Sequence, residues 1–327
     1  MKAIFVNDHI FYHVPETDRY YSGGSFPAYV WGRYLEHFEE LTVFSRGKPL
    51  RNGGTGYADT NNPKVQFDLL YDVGGGKDYL IKRREIAKKF ATLLADVEAV
   101  IIRLPSSIGL ICAEVCQNRR IPYATEVVGC VWDATWNYGP IVPKFLAPVL
   151  YRKTKVAVSS SIGSIYVTES FLQQRYPNND GIKAYASNVE IEDFSKELLK
   201  DRDKPSAKQQ NVFKLGMIAN LEVRYKGFDV AFKALGAVKK KGQQVELCLA
   251  GGGAPDYVRS LADKYNLEEE LSVLGRLESG RQIYDFLDGL DLYIHPSRQE
   301  GLPRSVIEAM SRGCPVLASS VAGIPEL

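Results

Sequence analysis

Short, uninterrupted apolar runs alternate with longer stretches whose apolar positions recur every three or four residues, and this rhythm is played twice along the chain. In the first half it predicts strands at 2–7, 40–45, 64–70, 98–104 and 122–128, with later ones near 162–168 and 182–188. Helices are expected at about 25–38, 77–95 and 107–119. In the second half the strands fit 212–218, 245–250, 271–275, 291–294 and 315–319, and the helices 227–240, 254–265, 280–289 and 303–312. Strands that are apolar throughout belong to parallel sheets covered on both faces, so the pattern predicts an α/β fold of two doubly wound domains. The segment 198–208 is charged, polar and broken by Pro205, which marks it as the linker between a domain at 1–200 and a second at 201–327. Such sheets bind ligands outside the carboxyl ends of their strands, so the loops after strands are where chemistry is expected.

Composition changes this picture little. The chain has 327 residues, 45% apolar and 24% charged, the values of an ordinary globular enzyme, and its net charge of +2 argues against a duplex nucleic-acid binder. Five scattered cysteines lack paired zinc spacing and are expected as buried free thiols. The chain enters a strand at Lys2 with no signal-peptide pattern, and no apolar run is long enough to span a bilayer, which predicts a cytoplasmic protein. Pro143–Lys155 pairs apolar with cationic residues and fits either peripheral contact with an anionic inner membrane surface or a packed helix with a basic end.

The most informative stretch runs from His295 to Met310. It comes directly after a strand, and Pro303 is placed for the first helical turn, so the amides from Gly301 through Leu302 and Arg304 to Ser305 would open a helix without intrahelical partners. Such a terminus stabilises a phosphate through hydrogen bonds and its dipole. Glu300 would lie just before this helix and Glu308 inside it. Two carboxylates beside an anion site make sense if each accepts hydrogen bonds from hydroxyls, one set on a sugar and one on a ribose.

Glu300 and Glu308 form a Glu-x7-Glu pair, set among Pro296-Ser297, Glu300-Gly301-Leu302-Pro303, Glu308-Ala309-Met310 and Gly313-Cys314-Pro315-Val316. In this the chain resembles glycosyltransferase family four, retaining enzymes of the GT-B fold with two Rossmann-like domains facing across a cleft. The resemblance implies a loop at 216–229 whose cations clamp a donor diphosphate. Lys226 matches the family's lysine; Asn220 stands where the family carries arginine, and Arg224 in the same loop is the candidate replacement. It also implies donor contacts from Gly251 and Gly252, from Arg276 and Leu277 along the base, and from the glycine loop at Gly23 and Gly24. Relatives carry a His-Asp pair after the strand near 122–128; here Glu126 and Asp133 are the available carboxylates, with Trp132 and Trp136 suited to stacking on a sugar or to packing. The insertion from Asp8 to Ser22 suggests an elaborated acceptor surface.

The resemblance thus implies transfer of a hexosyl group from a nucleoside diphosphate sugar to a hydroxyl of a saccharide or lipid-linked acceptor, with retention. The donor is expected to be UDP-linked in the first instance and GDP-linked in the second. Catalysis is assigned to Glu300, Lys226 and Arg224. No cofactor is implied, and no metal: Asp201-Arg202-Asp203 lies in the linker, and the histidines at 9, 13, 37 and 295 show no ligand spacing. Two rivals stay open, a sugar-nucleotide epimerase of the same architecture and a donor-binding protein without catalysis. By the resemblance, the second domain is expected to be incomplete after Leu327.

Overall fold

A computed structural model describes residues 1–23, 26–50, 56–74, 77–137, 141–191 and 212–327, and only the backbone of 77 and 141–143. The linker segment 198–208, with Asp201-Arg202-Asp203, lies outside the described residues. Contacts group Met1–Val131 with Pro148–Ala186, and Trp132–Ala147 with Ser187–Leu327.

The first unit is built on one sheet. Its strands are β1 (Lys2–Val14), β2 (Arg19–Ser22), β3 (Glu40–Pro49), β4 (Ala58–Asp59), β5 (Val65–Leu70), β6 (Ala99–Leu104), β7 (Ala124–Val127), β8 (Gly163–Tyr166) and β9 (Ile182–Tyr185). All pairings are parallel except those of β2 with β1 and β4. The first half of β1 runs between β3 and β6, and its second half between β3 and β2. The stretch Asp8–Ser22 is therefore not the loop expected from sequence. Ile10, Phe11, Tyr12 and Val14 favour extended backbone, so the strand continues past a register shift between Val6 and Ile10 and folds back as a hairpin.

The helix expected at 25–38 shrinks to a 3-10 turn at Ala28–Trp31 and a single α turn, α1 (Gly32–Leu35). Packing decides this: Phe26 and Trp31 stack 5.5 Å apart over Phe5 and Phe11, and Gly32 adds no helical preference. The helix expected at 77–95 divides at Lys82 into α2 (Lys77–Ile81) and α3 (Arg83–Leu93). By contrast α4 (Ser107–Arg119) has the expected bounds, because Ser106 caps its start and Arg120 adopts φ 56° at its end. The Asp8 carboxyl also accepts from the amides of Ser107 (2.6 Å) and Ile108 (3.0 Å), so this helix start is already occupied from within the chain. The aromatic stretch after β7, expected as a loop, carries α5 (Val131–Asn137); α6 (Ile141–Ser159), which contains Pro148, and α7 (Phe171–Arg175) come next.

In the second unit β10 (Phe213–Ile218), β11 (Val245–Ala250), β12 (Leu271–Gly275), β13 (Leu292–His295) and β14 (Val316–Ala318) form a parallel sheet in the order β12-β11-β10-β13-β14. The helices are α8 (Phe228–Lys239), α9 (Asp256–Tyr265), α10 (Arg281–Asp288) and α11 (Arg304–Ser311). Side-chain alternation sorts them. Leu215, Met217, Leu247 and Leu249 face Phe228, Phe232, Val258 and Leu261 of α8 and α9. Cys248 and Tyr293 face Ile283, Leu287, Val306 and Ala309 of α10 and α11. All five cysteines are buried thiols. The strand order reverses between β10 and β13, and in such sheets this reversal opens the ligand crevice.

Candidate active site

Two loops meet at that reversal. Gly227 ends the first, with φ 79°, and a β-carbon there would lie 2.0 Å from the carbonyl oxygen of Pro296. Only glycine permits this approach. It seats the 3-10 turn Arg224–Lys226 against the loop after β13. The contact is then stitched: the Arg298 amide donates to the Tyr225 carbonyl (2.8 Å), and the Arg298 guanidinium grips Asp229 through two bonds of 2.9 and 2.6 Å. At the neighbouring strand end Gly251 plays a similar part, since a β-carbon would stand 1.8 Å from the Ala219 oxygen.

Glu300 lies at the centre. Its Oε1 accepts from Lys226 Nζ at 2.7 Å and from His295 Nε2 at 2.9 Å. Burial by itself would raise this carboxyl, but the histidine hydrogen bond and the lysine charge outweigh it and hold the group at about 2. Glu300 is thus an ionised carboxylate with one oxygen held by two donors. His295, 3% exposed, stacks on Tyr293 with ring centroids 6.1 Å apart.

The helix start adjoins this cluster. Pro303 caps α11 with extended backbone and no side-chain hydrogen bond. Gly301 and Leu302 precede it, half-buried, and Arg304 is its first residue. Glu308 is buried one turn on; desolvation raises its carboxyl, and Arg304, with Nη2 at 3.9 Å, opposes the rise. Arg304 Nε is itself buried, with no hydrogen-bond partner among the described residues.

The other sequence-derived candidates fall in several places. The Arg224 guanidinium lies 4.9 Å over the ring of Tyr257. Asn220 holds its own turn, its Oδ1 accepting from the Glu222 amide at 3.0 Å. Gly252 has open space where a side chain would be, Arg276 is exposed, and Leu277 packs on the core beneath α10 and α11. In the first unit Gly23 is exposed and Gly24 lies outside the described residues. Glu126 has one oxygen on Tyr34 Oη (2.7 Å) and the other on Arg103 Nη1 (3.0 Å), which places it in a half-buried polar triad. Trp132 and Trp136 lie on α5 and stack on each other at 5.8 Å, and Asp133 lies on the same helix.

His295 and Arg298 are not singled out by the sequence pattern. For His295 a signal exists, an imidazole ending an apolar strand at its carboxyl end. Arg298 offers none. Among the described residues no three His, Cys, Asp or Glu side chains are grouped to hold a metal ion.

Comparison with known proteins extends this geometry. Residues 200–327 match the family model of the glycosyl transferases group 1. Over 324 residues the chain is 33% identical to Protein CapJ of Staphylococcus aureus, covering 99% of this chain and 80% of that protein. Anabaena HepE, solved in complex with UDP and glucose, superposes with a TM-score of 0.63 at 17% identity, over 100% of this chain and 82% of that one. WaaG, a glycosyltransferase involved in lipopolysaccharide biosynthesis, gives 0.62 at 13% identity, over 100% and 83%. At these identities the two structures speak for the fold alone, and the fold is GT-B: parallel α/β sheets in two Rossmann-like units. The chain belongs to the group 1 glycosyl transferases.

Proposed function

We propose that this glycosyltransferase binds a nucleoside diphosphate sugar at the carboxyl ends of β10 and β13, with UDP as its nucleotide, and transfers the hexosyl group with retention of configuration. The observation that carries the proposal is the convergence of Lys226, Glu300 and the uncapped start of α11 on one strand reversal. The diphosphate lies against the amides of Gly301–Ser305 and takes Lys226 as its counter-charge, so the leaving group is neutralised without a metal ion. Glu300 presents its second oxygen to sugar hydroxyls, and Glu308 accepts from the ribose. Attack and departure take place on the same face of the sugar, with Glu300 holding hydroxyls rather than acting as a nucleophile. HepE with UDP and glucose supports the choice of donor.

The acceptor is a hydroxyl of a saccharide or of a lipid-linked saccharide. Helix α6 supports peripheral contact with an anionic membrane: Phe145, Leu146 and Val149 are exposed beside Lys144, Arg152, Lys153 and Lys155, and the helix carries no acid.

The test separates the carboxylates. Glu308→Ala weakens UDP and UDP-sugar alike. Glu300→Ala leaves UDP affinity nearly intact and depresses transfer. Lys226→Ala weakens UDP by roughly 10- to 100-fold, the worth of a charge-assisted contact. Equal loss of UDP affinity in the two glutamate variants, or unchanged affinity in Lys226→Ala, refutes the assignment.

A further inference from the structure

We infer that His295 is a positioning residue for transfer: its Nε2–H holds Glu300 by Oε1 so that Oε2 remains directed at the donor sugar when Lys226 moves to the diphosphate. The inference rests on the donor site proposed above. Both donors share the single oxygen Oε1, Lys226 at 2.7 Å and His295 at 2.9 Å. They are not equivalent. Lys226 is a flexible ammonium on a loop, and an arriving diphosphate competes for its charge. His295 is the last residue of β13, 3% exposed and backed by the ring of Tyr293, so it cannot move with the lysine. A carboxylate accepts only, so the ring nitrogen facing it carries the proton, and the tautomer is set by Glu300. Once Lys226 is engaged elsewhere, this hydrogen bond alone fixes which oxygen the sugar meets.

The experiment compares His295→Phe, which keeps the ring packed on Tyr293 but removes the donor, with His295→Gln, which restores an N–H near the position of Nε2. UDP affinity is measured by calorimetry and kcat by UDP release with UDP-glucose, a panel of UDP- and GDP-sugars serving first to establish that wild type turns over. His295→Phe is expected to lower kcat roughly tenfold or more while UDP affinity stays within about twofold, and His295→Gln to recover most of the loss. Wild-type kcat in His295→Phe, a parallel loss of UDP affinity, or a glutamine variant no better than phenylalanine overturns the inference. Should the phenylalanine variant unfold, ¹⁵N NMR of the wild type decides: the Nε2–H tautomer, lost in Glu300→Ala, is expected, and an Nδ1–H tautomer contradicts it. Failure of wild type to bind UDP would instead strike at the donor site itself.

Discussion

The Arg304 guanidinium and the Glu308 carboxylate stand 3.9 Å apart on one face of α11, and Arg304 is the cation that offsets the burial of that glutamate. The order, cation before anion at i,i+4, is the weaker one on a helix. Glu308 therefore remains raised above the ordinary carboxylate range. In the folded protein it takes up its proton more readily than in the unfolded chain, so its ionised form costs stability at neutral pH, and the cost disappears as pH falls through the folded value.

Glu308→Gln should accordingly melt higher than wild type at pH 7, the gap closing toward pH 4, while UDP affinity falls. A variant less stable at pH 7 would show that the carboxylate is better paired than its surroundings indicate. Thermal denaturation across this pH range provides the measurement.

Gly227→Ala should destabilise the second unit by about 1–2 kcal/mol from the φ of 79° alone, and by more from the collision with the Pro296 carbonyl. Because this contact seats Lys226 against Glu300, UDP affinity should fall with stability. Denaturant titration and calorimetry on the one variant check both effects.

The proposed charge neutralisation by Lys226 and the α11 start predicts that excess chelator leaves transfer or donor hydrolysis unchanged. The assay is turnover before and after chelation, then after addition of Mg²⁺ or Mn²⁺; loss on chelation with recovery on either ion would replace the lysine-based account.

His9 supplies a pH dependence in the first unit. It lies between Phe11 and Phe26, with centroids at 4.9 and 5.1 Å, and its Nε2 has no partner among the described residues. Burial first, then Arg46 and Arg103, push it from its ordinary 6.5 down to about 4. The unfolded chain thus binds the proton at higher pH than the folded one, and stability contributed by neutral His9 is full above 6.5 and lost as pH falls toward 4. Each pH unit of that window corresponds to about 1.4 kcal/mol. His9→Phe should flatten that part of the stability curve; an unchanged slope would show that other groups produce it.

The basic face of α6 predicts co-sedimentation with vesicles containing anionic lipid and none with neutral vesicles. Binding should weaken with added salt and in Phe145→Glu. Retention of Phe145→Glu at wild-type levels would exclude this helix as the contact.

Much of the fold is legible in the chain because its signals are local. Apolar runs place the strands of the second unit within a residue or two, and Ser106 marks the start of α4. The Glu-x7-Glu pair, with Pro303 between, locates the strand-end loop that carries Glu300 and the helix that carries Glu308. The pattern fails where tertiary packing outweighs periodicity. Aromatic burial of Phe26 and Trp31 reduces a helix to two turns, and pairing with β2 draws Asp8–Val14 into β1.

The sequence by itself determined the α/β class, the loops where ligands are expected, and the residue types gathered there, since spacing, glycine and proline act within a few residues. Only the tertiary structure decided partnership. Lys226 and Glu300 are 74 positions apart, and Tyr34 and Glu126 are 92 apart. That Oε1 of Glu300 is shared while Glu126 is consumed by Tyr34 and Arg103, and that Arg224 turns onto Tyr257, depend on which strands lie side by side. No local pattern encodes that, because a hydrogen bond across a sheet is fixed by strand order and register rather than by the residues on either side of its donor.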